Sequence, residues 1–264
     1  MEALIVCEAV TKIHPARSLE GRNRGYKAVD DVSLSVEKGS SFGLVGESGS
    51  GKTTLAKAIM YLDPPSSGSV KYRGIELGTL PPRTLRAERK RMQIVFQDPH
   101  SSLDPRMRVR DSLAEGLVNL GIPRQERERR VARLLDLVGM SASAASRYPH
   151  EFSTGQRQRI VIARALTMEP DFLVLDEPVS NLDVSIQAQV INLLMDIKRE
   201  LGLTYLFISH DINLVAYMCD NIAVMYRGRI VEQAPTAQLL ASPRSDYSAA
   251  LLAATPGGAP RLAQ

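Results

Sequence analysis

The stretch GESGSGKTT, residues 46 to 54, holds the densest set of groups able to do chemistry. It fits G-x-x-x-x-G-K-[ST], follows the apolar run SFGLV and precedes the helical pattern LAKAIMYL, the strand-loop-helix context this pattern requires. Gly46, Gly49 and Gly51 let the backbone wrap a phosphate chain, with Glu47, Ser48 and Ser50 between them. Lys52 would set a cation on the β- and γ-phosphates, and the Thr53 hydroxyl would ligate Mg²⁺ as Thr54 continues into the helix. A Gly/Ser linker that happens to carry a lysine is the plain alternative, and the flanking pattern disfavours it. The expected ligand is a nucleoside triphosphate.

A second concentration of chemistry is FLVLDEP, residues 172 to 178. Two carboxylates closing an apolar strand are costly unless a cation sits beside them. Asp176 would hold Mg²⁺ through water and Glu177 would polarise an attacking water; capping the next helix is the structural alternative. His210 closes the run TYLFIS. If the two strands are neighbours, it shares a sheet edge with Asp176 and could contact the γ-phosphate, although a lone histidine is more often structural. Gln97, ending MQIVFQ, could reach Mg²⁺ or water, or merely begin a turn. Ser153, Thr154, Gly155 and Gln156 make a small, bare turn that opens a helix. Unpaired N–H groups there suggest a second anion site with no evident ligand.

The elements that must position these groups alternate between short β-rich runs and helical patterns, which argues for an α/β fold with a mainly parallel sheet. The strand candidates are ALIVCEAV, AVDDVSLSV, SFGLVG, SVKYRG, MQIVFQ, DFLVLD, TYLFIS and NIAVMYRGRIV. The first two and SVKYRG alternate polar with apolar residues, so an antiparallel β region is expected near the N-terminus. From Gln97 to about Ala165 helical periodicity takes over; Val131, Leu134, Leu135 and Val138 share one face. This reads as a helical subdomain, about 98–165, inserted in a single domain of residues 1–254. The tail TPGGAPRLAQ, 255–264, has the composition of a flexible end.

A chain of 264 residues with 44% hydrophobic and 23% charged residues is ordinary for a soluble globular protein. Cys7 and Cys219 match no zinc or disulfide framework and read as small buried apolar residues in a reducing compartment. No apolar run approaches the ~20 residues that span a bilayer, and the N-terminus has no basic leader. The net charge of +4 is modest, but arginines crowd residues 83–91, 106–110 and 124–130. Glutamates punctuate two of these runs and no aromatics interleave them, which favours solvated or partner-facing helices over nucleic-acid binding.

Taken in order, GESGSGKTT, IVFQDP, STGQRQR, LVLDEPVSNLD and ISHD resemble the ATP-binding-cassette ATPases from about Ala3 to Leu252. The resemblance implies a P-loop ABC-ATPase fold, ATP and Mg²⁺ as ligands, and two cassettes meeting head to tail. It makes Glu177, His210 and Gln97 catalytic, and Thr53, Gln97 and Asp176 the metal site. Ser153, Thr154, Gly155 and Gln156 would contact ATP held by the partner chain, and Asp183 would couple the two sites. FQDPHSSLDPRMRV, RYPHEFSTGQRQRIVIARAL and EPVSNLDVSIQAQVINLL resemble the ATPase subunits of dipeptide, oligopeptide and nickel importers. That branch implies a second cassette, identical or different, and two transmembrane permease subunits that bring the chain to the cytoplasmic face of the membrane. A solute-binding protein would act indirectly. A soluble cassette acting on nucleic acid or ribosomes is the alternative, and the coiled-coil insert, zinc cysteines or paired cassettes usual there are absent.

Four departures stand out. Thr154 occupies a usual glycine position; if the turn needs positive φ there, strain of roughly 1–2 kcal/mol follows. Asn181 replaces a usual alanine. SPRSDYSAALLAATP follows the branch's ending only loosely, and the cysteine-bearing extension common beyond it is missing. The place of the adenine-stacking aromatic is taken by KIHPA, making His14 the first candidate and Tyr26 the second.

Overall fold

The structure, a computed structural model, describes residues 2–15 and 25–254; the segment 255–264 expected to be a flexible end lies outside the described residues. Two compact units are present, Met1–Arg89 with Thr204–Gln264, and Lys90–Leu203. The first unit opens with β1 (Ala3–His14), β2 (Tyr26–Glu37), β3 (Ser41–Val45), α1 (Lys52–Ile59), β4 (Ser67–Tyr72), β5 (Ile75–Glu76) and α2 (Pro82–Arg89). The second contains β6 (Met92–Val95), α3 (Pro99–Ser102), α4 (Val109–Asn119), α5 (Arg124–Leu137), α6 (Thr154–Leu166), β7 (Phe172–Asp176) and α7 (Val184–Leu201). The chain then returns to the first unit for β8 (Thr204–Ser209), α8 (Ile212–Met218), β9 (Asn221–Tyr226), β10 (Arg229–Pro235), α9 (Thr236–Ala241) and α10 (Asp246–Ala253).

In the first unit, β2-β1-β4-β5 form an antiparallel sheet. Alternation along β2 buries Val32, Leu34 and Val36 while their neighbours face outward, as a strand with one covered face requires. Cys7 pairs with Leu34 on one side and Val70 on the other. Burial pushes its thiol up to about 12, so it stays a protonated apolar residue, and Cys219 is buried too.

The other sheet of this unit runs β10-β9-β3-β8. β3 lies parallel to both β8 and β9, and every residue of β3 and β8 is buried, the pattern of a strand covered on two faces. The run NIAVMYRGRIV is not one strand. It folds into the antiparallel hairpin β9–β10 because Arg227 (φ 46) and Gly228 (φ 84) are both left-handed, the geometry of a tight hairpin turn. An Arg-Gly pair inside an apolar run is a weak turn signal, so the period of the run concealed the reversal.

In the second unit, β6 and β7 pair in parallel from Met92↔Phe172 to Val95↔Leu175, and β7 is buried throughout. All regular elements between these strands are helical, including short 3-10 turns at Ala142–Ser146 and Pro149–Glu151. The apolar face of α5 buries Val131 and Leu135, and Val138 just beyond it is also buried. On its outer face Arg124 pairs with Glu128 and Arg130 with Glu126, each one helical turn apart. Much of the charge in RQERERR is therefore matched within its own helix, by surface pairs that add little to stability. Among the described residues, no helix is long and apolar enough to cross a membrane.

Candidate functional site

The strand β3 delivers the chain into residues 46–51, and Lys52, Thr53 and Thr54 open α1. Gly51, the N-cap of α1, has φ 109, and a β-carbon there would lie 2.2 Å from the Ala28 carbonyl oxygen. Only glycine can take that conformation in that space. No side chain caps the helix start, so its first-turn N–H groups point out of the helix without intrahelical acceptors. Lys52 is buried, and its Nζ donates to the carbonyls of Gly46 (2.7 Å) and Glu47 (2.8 Å). Ser50 Oγ is buried without a hydrogen-bond partner among the described residues. A loop with a buried ammonium, an orphaned hydroxyl and an uncapped helix start suits a polyphosphate.

The loop is braced from behind within its own unit. Gly228 N–H donates to the Ser50 carbonyl at 2.8 Å, and Glu47 N–H donates to the Tyr247 hydroxyl at 3.2 Å. The Tyr247 ring lies 4.4 Å from that of Tyr226. These partners come from β9, its turn and α10, about two hundred residues along the chain, and no sequence signal connected them with the loop.

His210 also belongs to this unit. Val45 and Ser209 are register partners in the parallel pair β3–β8, so the phosphate loop and His210 leave the same sheet edge. The neighbouring Asp211 has a separate job: its carboxylate accepts the N–H groups of Asn213 and Leu214 and caps α8. His14 and Tyr26 face each other across the β1–β2 ladder. The two aromatic candidates therefore stand at one end of one hairpin, where directly opposed side chains are close neighbours, and Tyr26 is exposed.

In the second unit, Asp176 ends β7 and is only 4% exposed. Glu177 follows with φ 49, a left-handed conformation that costs a non-glycine residue about 1–2 kcal/mol and that clusters at functional positions. Val95 and Leu175 are register partners, so Gln97 and Glu177 emerge from the same edge of the β6–β7 pair. The Gln97 carbonyl accepts Asn181 Nδ2 at 3.4 Å, which gives the unusual Asn181 a contact. Asp183 is the N-cap of α7 without a side-chain capping bond; its carbonyl accepts Ile186 and Gln187 N–H. The buried Asp176 carboxylate is an oxygen donor of the kind a hard cation such as Mg²⁺ prefers.

The turn at 153–156 is less bare than its composition suggests. Ser153 Oγ accepts Gln156 N–H (3.3 Å) while Gln156 Oε1 accepts Ser153 N–H (3.1 Å), a reciprocal capping box. Thr154 is the first residue of α6 and is not among the residues with positive φ. The condition for strain at Thr154 is therefore not met, because the turn enters the helix from an extended Ser153. Gly155 is small for a packing reason: a β-carbon there would lie 2.6 Å from Ile186 Cγ2 on α7. The N–H groups of Thr154 and Gly155 still precede any possible intrahelical acceptor.

A buried parallel strand feeding a left-handed glycine loop and an uncapped helix defines a P-loop α/β protein. The model of the ABC transporter family matches residues 29–180. Over 233 residues the chain is 50% identical to the oligopeptide transport ATP-binding protein OppF of Bacillus subtilis, covering 87% of this chain and 76% of OppF. Among solved structures, cbiO1 from Clostridium perfringens, described as part of the ABC transporter complex cbiONQ, superposes with a TM-score of 0.80 at 28% identity, covering 92% of each chain. A dimeric ATP-binding cassette, MJ0796, in a post-hydrolysis state bound to ADP and Pi, gives 0.75 at 26% identity over 88% of this chain and 98% of that one. The chain belongs to the ABC transporter family, and its fold is that of the ABC ATPase cassettes.

Proposed function

We propose that this chain is the ATP-hydrolysing subunit of an importer for peptides or related small solutes. The observation that carries the reading is the phosphate loop, with left-handed Gly51, buried Lys52 and the unpartnered Ser50 hydroxyl ahead of an uncapped helix. The name of the Bacillus subtilis relative, an oligopeptide transport ATP-binding protein, supports the substrate class.

In this reading Lys52 and the first-turn N–H groups of α1 bind the phosphates, and His14 or Tyr26 stacks on adenine. Thr53, Asp176 and Gln97 hold Mg²⁺, which when bound neutralises charge on the phosphates. Glu177 orients and polarises the attacking water, and His210 and Gln97 fix the water and γ-phosphate. Ser153, Thr154, Gly155 and Gln156 meet ATP held by a second cassette, whose site Asp183 couples to this one; the dimeric cassette among the solved relatives supports that arrangement. Two membrane permease subunits complete the assembly and hold the chain at the cytoplasmic face, a solute-binding protein delivers cargo, and nucleic acid has no part.

The test is Glu177→Gln in the chain copurified with its membrane partners. ATP binding is expected to persist while hydrolysis falls about 10²- to 10⁴-fold, the usual contribution of a general base. Rapid turnover by the variant would remove Glu177 from the role. Recovery of neither a second cassette nor a membrane protein would overturn the transporter reading.

A further inference from the structure

We infer that Tyr247, on the C-terminal helix α10, is a positioning residue for the phosphate loop. The inference rests on the reading of that loop as the ATP site. The N–H of Glu47 donates to the Tyr247 hydroxyl, 3.2 Å away. The tyrosine is itself held. Its ring packs on Tyr226 at 4.4 Å with an interplanar angle of 38°, and the Arg227 guanidinium lies 5.1 Å from the centre of Tyr226. The start of α10 is pinned independently, because the buried Glu232 carboxylate of β10 accepts the N–H groups of Arg244 (2.9 Å) and Ser245 (3.0 Å). Burial also pushes the Tyr247 phenol above its ordinary value, so it is a neutral hydroxyl at physiological pH.

The arrangement is a bracket. On one side Gly228 N–H grips the Ser50 carbonyl at 2.8 Å; on the other Tyr247 grips the Glu47 amide. Between those two points lie Ser48 and Gly49, and Gly49 has φ 79 with open space where a β-carbon would stand. A glycine loop without such ties would sample many conformations, and a ligand that needs one of them binds more weakly by the fraction of time it is absent. The hydroxyl of Tyr247 thus acts on phosphate through the backbone of Glu47.

Tyr247→Phe removes the hydroxyl and keeps the ring on Tyr226. In the full chain we expect hydrogen exchange of the peptide spanning residues 46–51 to speed up in the absence of nucleotide. ATP affinity by calorimetry should fall about 3- to 10-fold, the weight of one hydrogen bond, with the melting temperature unchanged and kcat at saturating ATP within twofold of wild type. Glu47→Pro deletes the same N–H from the other side, so adding Tyr247→Phe to it should cost no further affinity. Wild-type exchange and affinity in Tyr247→Phe would overturn the inference, as would a melting temperature that falls in step with affinity, since that marks a fold-wide role. A wild-type chain that binds no ATP would instead defeat the underlying reading of the loop.

Discussion

Two helices in this protein begin with a serine-and-glycine turn, and they are built in opposite ways. At α1 the N-cap is Gly51 in a left-handed conformation, with no side chain closing the helix start. At α6 the N-cap is Ser153 in an extended conformation, closed by the reciprocal bonds with Gln156. The glycines differ as well. Gly51 is required by backbone, through its φ and the Ala28 carbonyl, whereas Gly155 is required by a side chain, Ile186. A glycine N-cap in place of a capping serine costs only about a few tenths of a kcal/mol, and the N–H groups it leaves open suit a site where an anion supplies the missing acceptors. The capped start of α6 is stable unaided, so any phosphate it meets must be read by the groups left over, the N–H of Thr154 and Gly155 and the outward side of the Ser153 hydroxyl.

This contrast can be broken first at Gly51. Gly51→Ala adds both φ strain and a clash with backbone that cannot move aside, so ATP affinity measured by calorimetry should fall at least about thirtyfold; wild-type affinity would mean the loop is not held as described. Gly155→Ala should cost about 1–3 kcal/mol of stability in a denaturant melt, without loss of the chain's own ATP affinity. Because the obstacle is a side chain, Ile186→Ala in the same chain should recover part of that stability, and an absence of coupling would refute the packing explanation. Smallest is Thr154→Gly, which should lower stability by at most about 1 kcal/mol through helix propensity and leave ATP affinity of the isolated chain unchanged. Altered turnover in the assembled transporter is expected if the Thr154 β-carbon lies beside the partner's phosphate; unchanged turnover would remove it from that site.

The legible parts of the molecule were those whose physics is local. β3 and β8 announced themselves because a strand buried on both faces must be apolar throughout, and the glycine spacing of residues 46–54 carries its own backbone requirement. The β9–β10 hairpin is hidden in the sequence because its turn residues are two left-handed positions inside a run whose composition still reads as strand. The capping box at Ser153 is hidden in the sequence for a related reason. Ser153 and Gln156 have the atoms a ligand could use, but the turn's own N–H groups compete for them.

The sequence by itself determined the α/β class, the glycine loop between β3 and α1, the paired acids at the end of β7 and the family to which those motifs belong, because each depends on residue types at short, fixed spacings. Only the tertiary structure decided that Glu177 adopts a left-handed conformation, that Gly155 is small for the sake of Ile186, and that Tyr247 and Gly228 brace a loop about two hundred residues earlier in the chain. Those facts depend on which backbone groups the fold brings within hydrogen-bonding distance, and no local pattern encodes a contact between segments so far apart.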